Sequence, residues 1–432
     1  MITQAKSMAT PIRSESNSED TQPRVLGGLF MVARQPILDQ RGRVHAYKLR
    51  FRGAMEQAEI APQTCHSMME TAAHFGLHKP SELKKLTGKM PAFVCCPTEA
   101  LKNDLAQTLP ATLTVLEIPG SLEMPPELIA VCQELKAAGF RFALDDFKSQ
   151  AQFEPLLELA EFVKVDIDLT SKDERRELFE RVRGKPIGML AKNIDTQAGY
   201  VRACEEGFAL FEGYYFCEPV PVRNRRPPVS QILRIDILRA LQQTPLEVHK
   251  VGPLVKRDGP LAYQLLRLAN SPIWAVHKDI DSIEQALMIV GDDAFRRIAT
   301  TAIASEFNGN QSPELLCMAM VRGRFCEVAG AKRNLDPFIQ YLLGLLSLLP
   351  AMQGQPMKNI APALPLGDEI REALLGTKNP ERVLLGWLEK AERGDWAGCD
   401  AAAETDGLNQ HELAKIYLEA VAWTEAVLHS GA

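Results

Sequence analysis

The sequence lacks a long hydrophobic run, a CxxC pair and an excess of positive charge. Its longest apolar stretch, residues 341–352, contains a proline and is shorter than a bilayer span, which needs about 20 residues. The formal net charge is -6, so electrostatics does not favour nucleic acid or an anionic membrane as a partner. The nine cysteines show no metal-type spacing, which indicates reduced thiols. These absences predict a cytoplasmic protein without a nucleic-acid or membrane partner.

The N-terminal segment also lacks the apolar core of a secretory signal. Residues 1–28 are rich in Ser, Thr, Pro, Glu and Asp, a composition typical of a disordered tail. The whole chain of 432 residues, with 46% hydrophobic content, is long enough for two domains with real cores. Residues 219–230 hold four prolines and three arginines, which predicts a stiff, solvated connector between those domains.

The first part of the chain alternates short β-like segments with amphipathic helical ones. Residues 125–139 show apolar side chains at helical spacing, with Gly139 where the helix is expected to end. Repeated strand–helix units predict a parallel sheet, and eight of them predict a (β/α)8 barrel of the α/β class. Only a short connection joins the first two strands, so that pair is predicted to be antiparallel. The strand candidates are residues 30–37, 44–51, 91–96, 113–118, 141–146, 162–167, 186–191 and 210–216.

The second part of the chain shows no strand pattern and predicts an all-α domain. Residues 282–291 begin with a Ser-x-x-Gln capping box and end on glycine, and residues 409–431 begin with Asn409 before an apolar stripe. None of the histidines in this part is followed by aspartate, so the pattern of an HD-type metal site is absent. These histidines are His249, His277, His411 and His429.

Charged side chains close several of the predicted strands. Glu117 ends one strand, Asp145 and Asp146 end the next, and Lys164 and Asp166 lie in the third. Catalytic groups of such barrels lie at the carboxyl ends of the strands. Carboxylates beside a lysine could hold a divalent cation next to a phosphate ester. The alternative is that each is an ordinary strand-end residue or a member of a local ion pair.

Short motifs occur in a characteristic order along the chain. The first half contains ARQPILDQRGRVHAYKLRFRG, LEIPGS, ALDDF, FVKVDI, AKNIDT and EGYYFCEPVP. This order resembles the EAL domain, the phosphodiesterase barrel that linearises cyclic di-GMP. The second half contains LLRLANSPIWAVHKDIDSIEQALMIVGDDAFRRIA, which resembles an HDOD domain. The resemblance implies a TIM-like EAL barrel over residues 29–221, followed by an all-α HDOD domain over residues 222–432.

The resemblance implies roles for the residues at matching positions. Glu117, Asp145 and Asp146 match metal-binding acids of the family, and Lys164 matches a lysine near the attacking water. Gln35 and Arg52 match contacts to the nucleotide, Arg52 to its phosphate. Other positions depart from the family pattern: Lys48 replaces a metal-binding glutamate, Cys95 a metal-binding asparagine, Lys192 and Asp195 two glutamates, and Glu212 a glutamine.

The departures change what the site is expected to do. A lysine within a few ångströms of Mg²⁺ repels the ion and can pair with the remaining acids. Lys48 and Lys192 are therefore predicted to neutralise Glu117, Asp145 and Asp146. The sequence then predicts a salt-bridge cluster with no metal, no cofactor and no catalytic residue, so that the chain is not an enzyme.

Three functions follow from these expectations. The main hypothesis is a catalytically inactive signalling or scaffold protein, linked to cyclic di-GMP, that binds other signalling proteins through the HDOD domain. The second is a sensor that binds cyclic di-GMP without hydrolysis through Gln35 and Arg52. The third is an active cyclic di-GMP phosphodiesterase, which requires Lys48 or Lys192 to lie outside the pocket. The resemblance also implies that the barrel can form a homodimer.

Overall fold

The structure is a computed structural model of the chain. The predicted tail, residues 1–28, and most of the connector, residues 219–230, lie outside the described residues. Within the described part, no helix is both long and apolar enough to cross a membrane. The described residues are 29–52, 71–102, 105–120, 125–146, 154–219, 229–274, 280–309 and 311–429.

In the described residues, eight strands close into a barrel in chain order. The first strand pairs antiparallel with the second and the eighth, whereas the other described pairs are parallel. The predicted TIM-like barrel and its antiparallel first pair are therefore confirmed. The strands are β1 (Met31–Asp39), β2 (Val44–Arg52), β3 (Ala92–Cys95), β4 (Thr114–Pro119), β5 (Arg141–Asp145), β6 (Phe162–Asp166), β7 (Gly188–Lys192) and β8 (Leu210–Glu212).

Helices between the strands have local start and stop signals. Ser171 accepts a hydrogen bond from the Glu174 amide, and the Glu174 carboxylate accepts one from the Ser171 amide at 2.8 Å, which forms a capping box. Gly139 has a φ of 96°, a value that favours glycine just after a helix. The barrel helices are α1 (Pro80–Thr87), α2 (Thr98–Lys102), α3 (Pro126–Ala137), α4 (Glu154–Leu157), α5 (Lys172–Val182) and α6 (Gln197–Glu206).

The described residues from 229 onward are helical, as predicted. Ser282 accepts from the Gln285 amide and Asn409 from the Glu412 amide, so both predicted N-caps are present. The boundary predicted at 221/222 lies outside the described residues and stays a prediction. The helices are α7 (Val229–Leu241), α8 (Val248–Lys256), α9 (Gly259–Ala269), α10 (Ile283–Val290), α11 (Asp292–Asn308), α12 (Pro313–Lys332), α13 (Pro337–Leu346), α14 (Leu349–Gln353), α15 (Met357–Ile360), α16 (Asp368–Leu374), α17 (Val383–Arg393), α18 (Trp396–Asp406) and α19 (Gln410–His429).

A buried polar cluster joins the outer face of β1 and β2 to α12 and α19. The Arg34 guanidinium donates to the Glu425 carboxylate at 2.7 Å and to Cys317 Sγ at 3.1 Å. Beside it, the Tyr47 hydroxyl donates to Glu314 Oε2 at 2.7 Å. One continuous hydrophobic core surrounds this cluster and includes residues of the barrel and of the helical half. The two halves are therefore packed together through a shared interior.

Glu314 in this cluster gives a testable pH dependence. Burial raises the pKa of its carboxyl to about 7 although Arg34 opposes the shift, so the folded chain binds a proton that the unfolded chain releases. Stability from this group is therefore present at low pH and lost as pH rises through the folded pKa. We expect Glu314→Gln to stabilise the chain by about 2 kcal/mol at about pH 8, and by much less at about pH 5. Urea unfolding at both pH values measures the difference.

The control for this comparison is Glu412→Gln, which removes a carboxylate that is 41% exposed on α19. It should follow the native pH profile closely, since a solvated carboxylate contributes little. Equal midpoints for the native and Glu314→Gln chains at both pH values would contradict the expected desolvation of Glu314.

Candidate functional site

The barrel interior has an apolar layer to which each strand contributes one side chain. Successive side chains on a strand point to opposite faces, so the residue two positions along points inward again. On most strands the inward residue two positions away, toward the end of the barrel where β2 to β8 finish, has a polar side chain. The apolar layer is Ile37, Ala46, Phe93, Val115, Ala143, Phe162, Leu190 and Leu210. The residues of the next layer, here called the polar ring, are Gln35, Lys48, Cys95, Glu117, Asp145, Lys164, Lys192 and Glu212.

Lys164 lies at the centre of the polar ring. Its side chain is 0% exposed and its ammonium pairs with Glu117 and, at 2.7 Å, with Glu212 Oε2. Although burial opposes the charge, Glu117 and Glu212 raise the pKa of Lys164 well above its ordinary value. Burial likewise opposes ionisation of Glu212, yet Lys164 and Lys48 hold the pKa of its carboxyl well below the usual range. Lys164 and Glu212 therefore favour their charged forms in the buried cluster that they make with Glu117.

Lys48 supplies a second ammonium to the same acids. Its Nζ lies 3.5 Å from Glu117 Oε2 and 3.3 Å from Glu212 Oε1. Both carboxylates are 1% exposed, so neither is solvated by bulk water. The predicted pairing of Lys48 with Glu117 is present, whereas the sequence did not indicate Glu212 as its other partner.

Lys192 neutralises the paired aspartates, as predicted. Its Nζ lies 3.0 Å from Asp145 Oδ1 and 2.6 Å from Asp146 Oδ1. Burial opposes ionisation of Asp145, but Lys164, Lys48 and Lys192 lower the pKa of its carboxyl. Asp146 has a positive φ of 53°, so the chain turns at the end of β5 and the side chain stays beside Lys192.

Local sequence places Glu212 in the ring. Gly213 follows it with a φ of 155°, and a Cβ at that position would lie 2.0 Å from the Ile194 carbonyl oxygen. Glycine is therefore required where the chain leaves β8 and passes against the end of β7. Cys95 completes the ring on β3, where burial and the nearby Glu117 raise the pKa of its thiol to about 12. The thiol is thus neutral and is a poor metal ligand.

The ring does not fit a divalent metal. Its three ammonium groups, Lys48, Lys164 and Lys192, match its three carboxylates, Glu117, Asp145 and Glu212, in number. Each of those carboxylates already pairs with at least one ammonium, so a dication there would meet like charge. In the described part of the chain, no group of three His, Cys, Asp or Glu side chains could hold a metal ion. No reaction step through a metal follows from these residues.

Arginines continue the inward face of β2 toward the mouth of the barrel. Arg50 donates to Gln35 Oε1 at 2.9 Å and lies 3.8 Å from Glu212. Arg52, at the end of the strand, donates to both carboxylate oxygens of Asp400 on α18 at 2.8 and 2.7 Å. The sequence motifs indicated Gln35 and Arg52 as ligand contacts but indicated no role for Arg50. The period-two alternation that aligns Lys48, Arg50 and Arg52 is the signal that would have found it.

Other predicted site positions lie outside the ring. Asp195 accepts a hydrogen bond from the Tyr214 amide at 3.0 Å, and Asp166 accepts from the Asn193 side chain at 2.7 Å. Both therefore shape loops at the mouth. The loop after Asp146, residues 147–153, lies outside the described residues. In the helical half, His249 is 77% exposed, which agrees with the interpretation of that histidine as a surface residue.

Two family profiles match this chain. The profile of the EAL domain matches residues 97–219, and that of the HDOD domain matches residues 227–341. The chain carries an EAL domain followed by an HDOD domain. The family predicted from the short motifs is thereby confirmed, together with the barrel and the helical half that the structure shows.

Two curated relatives align with this EAL–HDOD chain along most of its length. One is the uncharacterized protein YuxH of Bacillus subtilis, 28% identical over 91% of this chain and 97% of the relative. The other is the cyclic di-GMP phosphodiesterase CdgJ of Vibrio cholerae, 27% identical over 92% of each chain. The prediction that the EAL–HDOD chain is not an enzyme is wrong, because the EAL domain is an enzyme family and a full-length relative bears a phosphodiesterase name.

Solved structures similar to the EAL–HDOD chain include other EAL proteins. BlrP1 of Klebsiella pneumoniae, in a calcium and cyclic di-GMP complex, matches with a TM-score of 0.35 and 17% identity. That match covers 44% of this chain and 56% of BlrP1. The FimX EAL domain of Pseudomonas aeruginosa bound to c-di-GMP matches with a TM-score of 0.33 and 18% identity, covering 43% of this chain and 89% of FimX.

Proposed function

We propose that this protein acts in cyclic di-GMP signalling in the cytoplasm by binding cyclic di-GMP at the mouth of its barrel. The observation that carries the proposal is the row of cations on the inward face of β2. Lys48, Arg50 and Arg52 lie at successive inward positions from the ring to the rim. The name of the relative CdgJ supplies the ligand class.

The charges at the mouth suit a phosphodiester. Two guanidinium groups can each donate two hydrogen bonds to phosphate oxygens, which is the geometry arginine favours. Arg50 is 25% exposed, so it lies at the edge of the buried ring, where a ligand can reach it. In the ring beneath, the ammonium groups of Lys48 and Lys192 already pair with carboxylates, and their side chains are 10% and 11% exposed. In this proposal the protein's own cations, and not a bound metal, face the phosphate.

The first experiment measures binding and turnover in the same samples. Cyclic di-GMP is titrated into the full chain by calorimetry, with and without Mg²⁺, and each mixture is then analysed for linear product. We expect binding that does not require Mg²⁺, since lysines and arginines supply the positive charge. Arg50→Ala is expected to weaken binding about tenfold, because a hydrogen bond to a charged group contributes about 1.5–3 kcal/mol.

Two results of that experiment would change the proposal. Absence of any heat of binding with the native chain would refute it. Binding only in the presence of Mg²⁺ would show that a metal, and not the lysine-containing ring, faces the phosphate. The amount of linear product shows whether the chain also hydrolyses the nucleotide, the activity named for its relative CdgJ.

A second function, binding of other signalling proteins, is supported by the surface of the helical half. Tyr263 on α9 is 67% exposed, and Met288 and Ile289 on α10 are 76% and 43% exposed. Large apolar side chains exposed on packed neighbouring helices are common at protein contacts. A homodimer is one arrangement that would cover them. Sedimentation of the native chain and of a Tyr263→Ser, Met288→Ser double variant tests for such a dimer. A dimer that uses this surface would dissociate in the variant.

A further inference from the structure

A corner of the helical half lies at the mouth of the barrel. α17 ends at Arg393, and the turn at Gly394 comes so close to β2 that a Cβ there would lie 2.9 Å from Arg50 Cδ. The Tyr214 hydroxyl, just after β8, donates to the Glu392 carbonyl oxygen. The Arg393 guanidinium stacks 5.0 Å from the centre of the Tyr214 ring. The α17–α18 corner therefore contacts the rim of the barrel at two points, Arg50 on β2 and Tyr214 just after β8.

Asp400 on α18 forms an ion pair with Arg52, the outermost cation of that rim. Its two oxygens accept one hydrogen bond each from the two terminal nitrogens of Arg52, the bidentate geometry that a phosphate would also use. Asp400 also accepts from the Gln410 side chain of α19 at 2.8 Å, so it belongs to the helical half. Arg52 is 8% exposed, whereas Asp400 is 40% exposed. The carboxylate therefore covers the guanidinium and remains open to solvent on its other side.

Asp400 belongs to a network of ion pairs that extends from the polar ring to the rim. The ion pairs that run from the ring to the rim join five cations, Lys48, Lys164, Lys192, Arg50 and Arg52, to five acids, Glu117, Asp145, Asp146, Glu212 and Asp400. Among these, Asp400 is the acid that the helical half contributes. Removing it takes away the carboxylate that pairs with Arg52, and an anionic ligand would fill that place.

We infer that Asp400 holds Arg52 in place of a ligand phosphate, and that a nucleotide binding at the mouth displaces Asp400 and releases α18. This inference rests on the proposed binding of cyclic di-GMP. One guanidinium cannot bind both groups with two hydrogen bonds each, so the two compete. Because coupling between two binding events is reciprocal, any partner that draws α18 away from the barrel favours nucleotide binding.

The test compares native, Asp400→Asn and Asp368→Asn full chains by calorimetry with cyclic di-GMP. Asp368 is a matched control, since it is 84% exposed and pairs with Arg371 within its own helix, α16. We expect Asp400→Asn to bind up to about fivefold more tightly than native, the range of a partly exposed ion pair, and Asp368→Asn to bind as native does. Hydrogen exchange over residues 396–406 of the native chain should rise when saturating nucleotide is added.

Each other outcome has a distinct meaning. Equal or weaker binding by Asp400→Asn, with native binding intact, would overturn the competition while the proposed function stands. Unchanged or slower exchange over α18 on nucleotide binding would also overturn it. Failure of all three chains to bind would refute the proposed function and this inference together.

Discussion

Replacing Lys164 with methionine is expected to destabilise the barrel by about 3–5 kcal/mol at neutral pH. The methionine would fill a similar volume but would remove the ammonium between Glu117 and Glu212, each 1% exposed. Lys48, at 3.3–3.5 Å, and Arg50, 3.8 Å from Glu212, would then face the two buried carboxylates. Removing one member of a buried charge cluster leaves an uncompensated charge, which is far costlier than losing a surface pair.

The Lys164→Met chain should also show an altered pH dependence. In the native chain the pKa of Glu212 is lowered, so its contribution to stability is present above the ordinary value of 4.5 and is lost as pH falls. In the variant, the contribution of Lys164 to that lowering is lost while those of Lys48 and Arg50 remain, so less stability is lost as pH falls. The difference in free energy of unfolding between the two chains should therefore shrink as pH is lowered from about 7 to about 4.

The measurement must report on the barrel itself. All four tryptophans, Trp274, Trp387, Trp396 and Trp423, lie in the helical half, so their fluorescence does not follow the strands directly. Hydrogen exchange of β4 and β8, together with urea unfolding followed by circular dichroism, is suitable. Lys332→Met is the control because it removes an exposed lysine paired with Glu412 and should leave the midpoint nearly unchanged. A Lys164→Met chain as stable as native at neutral pH would argue against a charged ring.

The second large effect is expected from replacing Lys48 and Lys192 together with glutamate. The polar ring would change from three ammonium groups and three carboxylates to one ammonium and five carboxylates. Without metal these acids repel one another, and a bound divalent cation removes that repulsion. We expect added Mn²⁺ to stabilise this variant by about 2.7 kcal/mol at 100 times its dissociation constant, with no comparable shift for the native chain.

Thermal unfolding with and without Mn²⁺ measures this gain in stability. The protein is purified in Mn²⁺, so that the ion balances the charge of the carboxylates during folding. The control is Lys84→Glu with Lys89→Glu, which makes the same change of charge at exposed positions on and beside α1. A metal response in this control would identify the effect as general charge screening. A folded double variant that shows no response to Mn²⁺ would mean that the ring cannot arrange oxygen ligands around an ion.

The fold could be predicted closely because its signals are local. Each of the eight strands lies within two residues of the predicted start, and the short β1–β2 connection indicated the antiparallel pair. Lys48 and Lys192 were expected to pair with Glu117, Asp145 and Asp146 because both lysines stand at ligand positions of the family's metal site. Glu212 was recognised as a changed position, yet its contact with Lys164 was missed, since nothing in sequence shows which side chains meet across a closed barrel.

Contacts between distant parts of the chain could not be predicted in this way. Arg52 and Asp400 are 348 positions apart, and Asp400 lies in a helix whose local sequence carries no sign of a partner. The buried cluster of Arg34, Tyr47 and Glu314 is similar, because its members look like ordinary strand and helix residues until the two halves pack together. Sequence periodicity gives the face on which a side chain lies but not what covers that face.

The balance of three ammonium groups and three carboxylates in the ring has a consequence for how these positions can change over evolutionary time. A single substitution that alters one charge leaves an unmatched neighbour in a dry interior, so it is penalised whichever member it affects. Tolerated change must therefore occur in compensating steps, with Lys48 and Glu212 exchanged together, or Lys192 together with Asp145. Sequences descended from a common ancestor should show correlated identities at these positions, and intermediates with an odd charge should be rare.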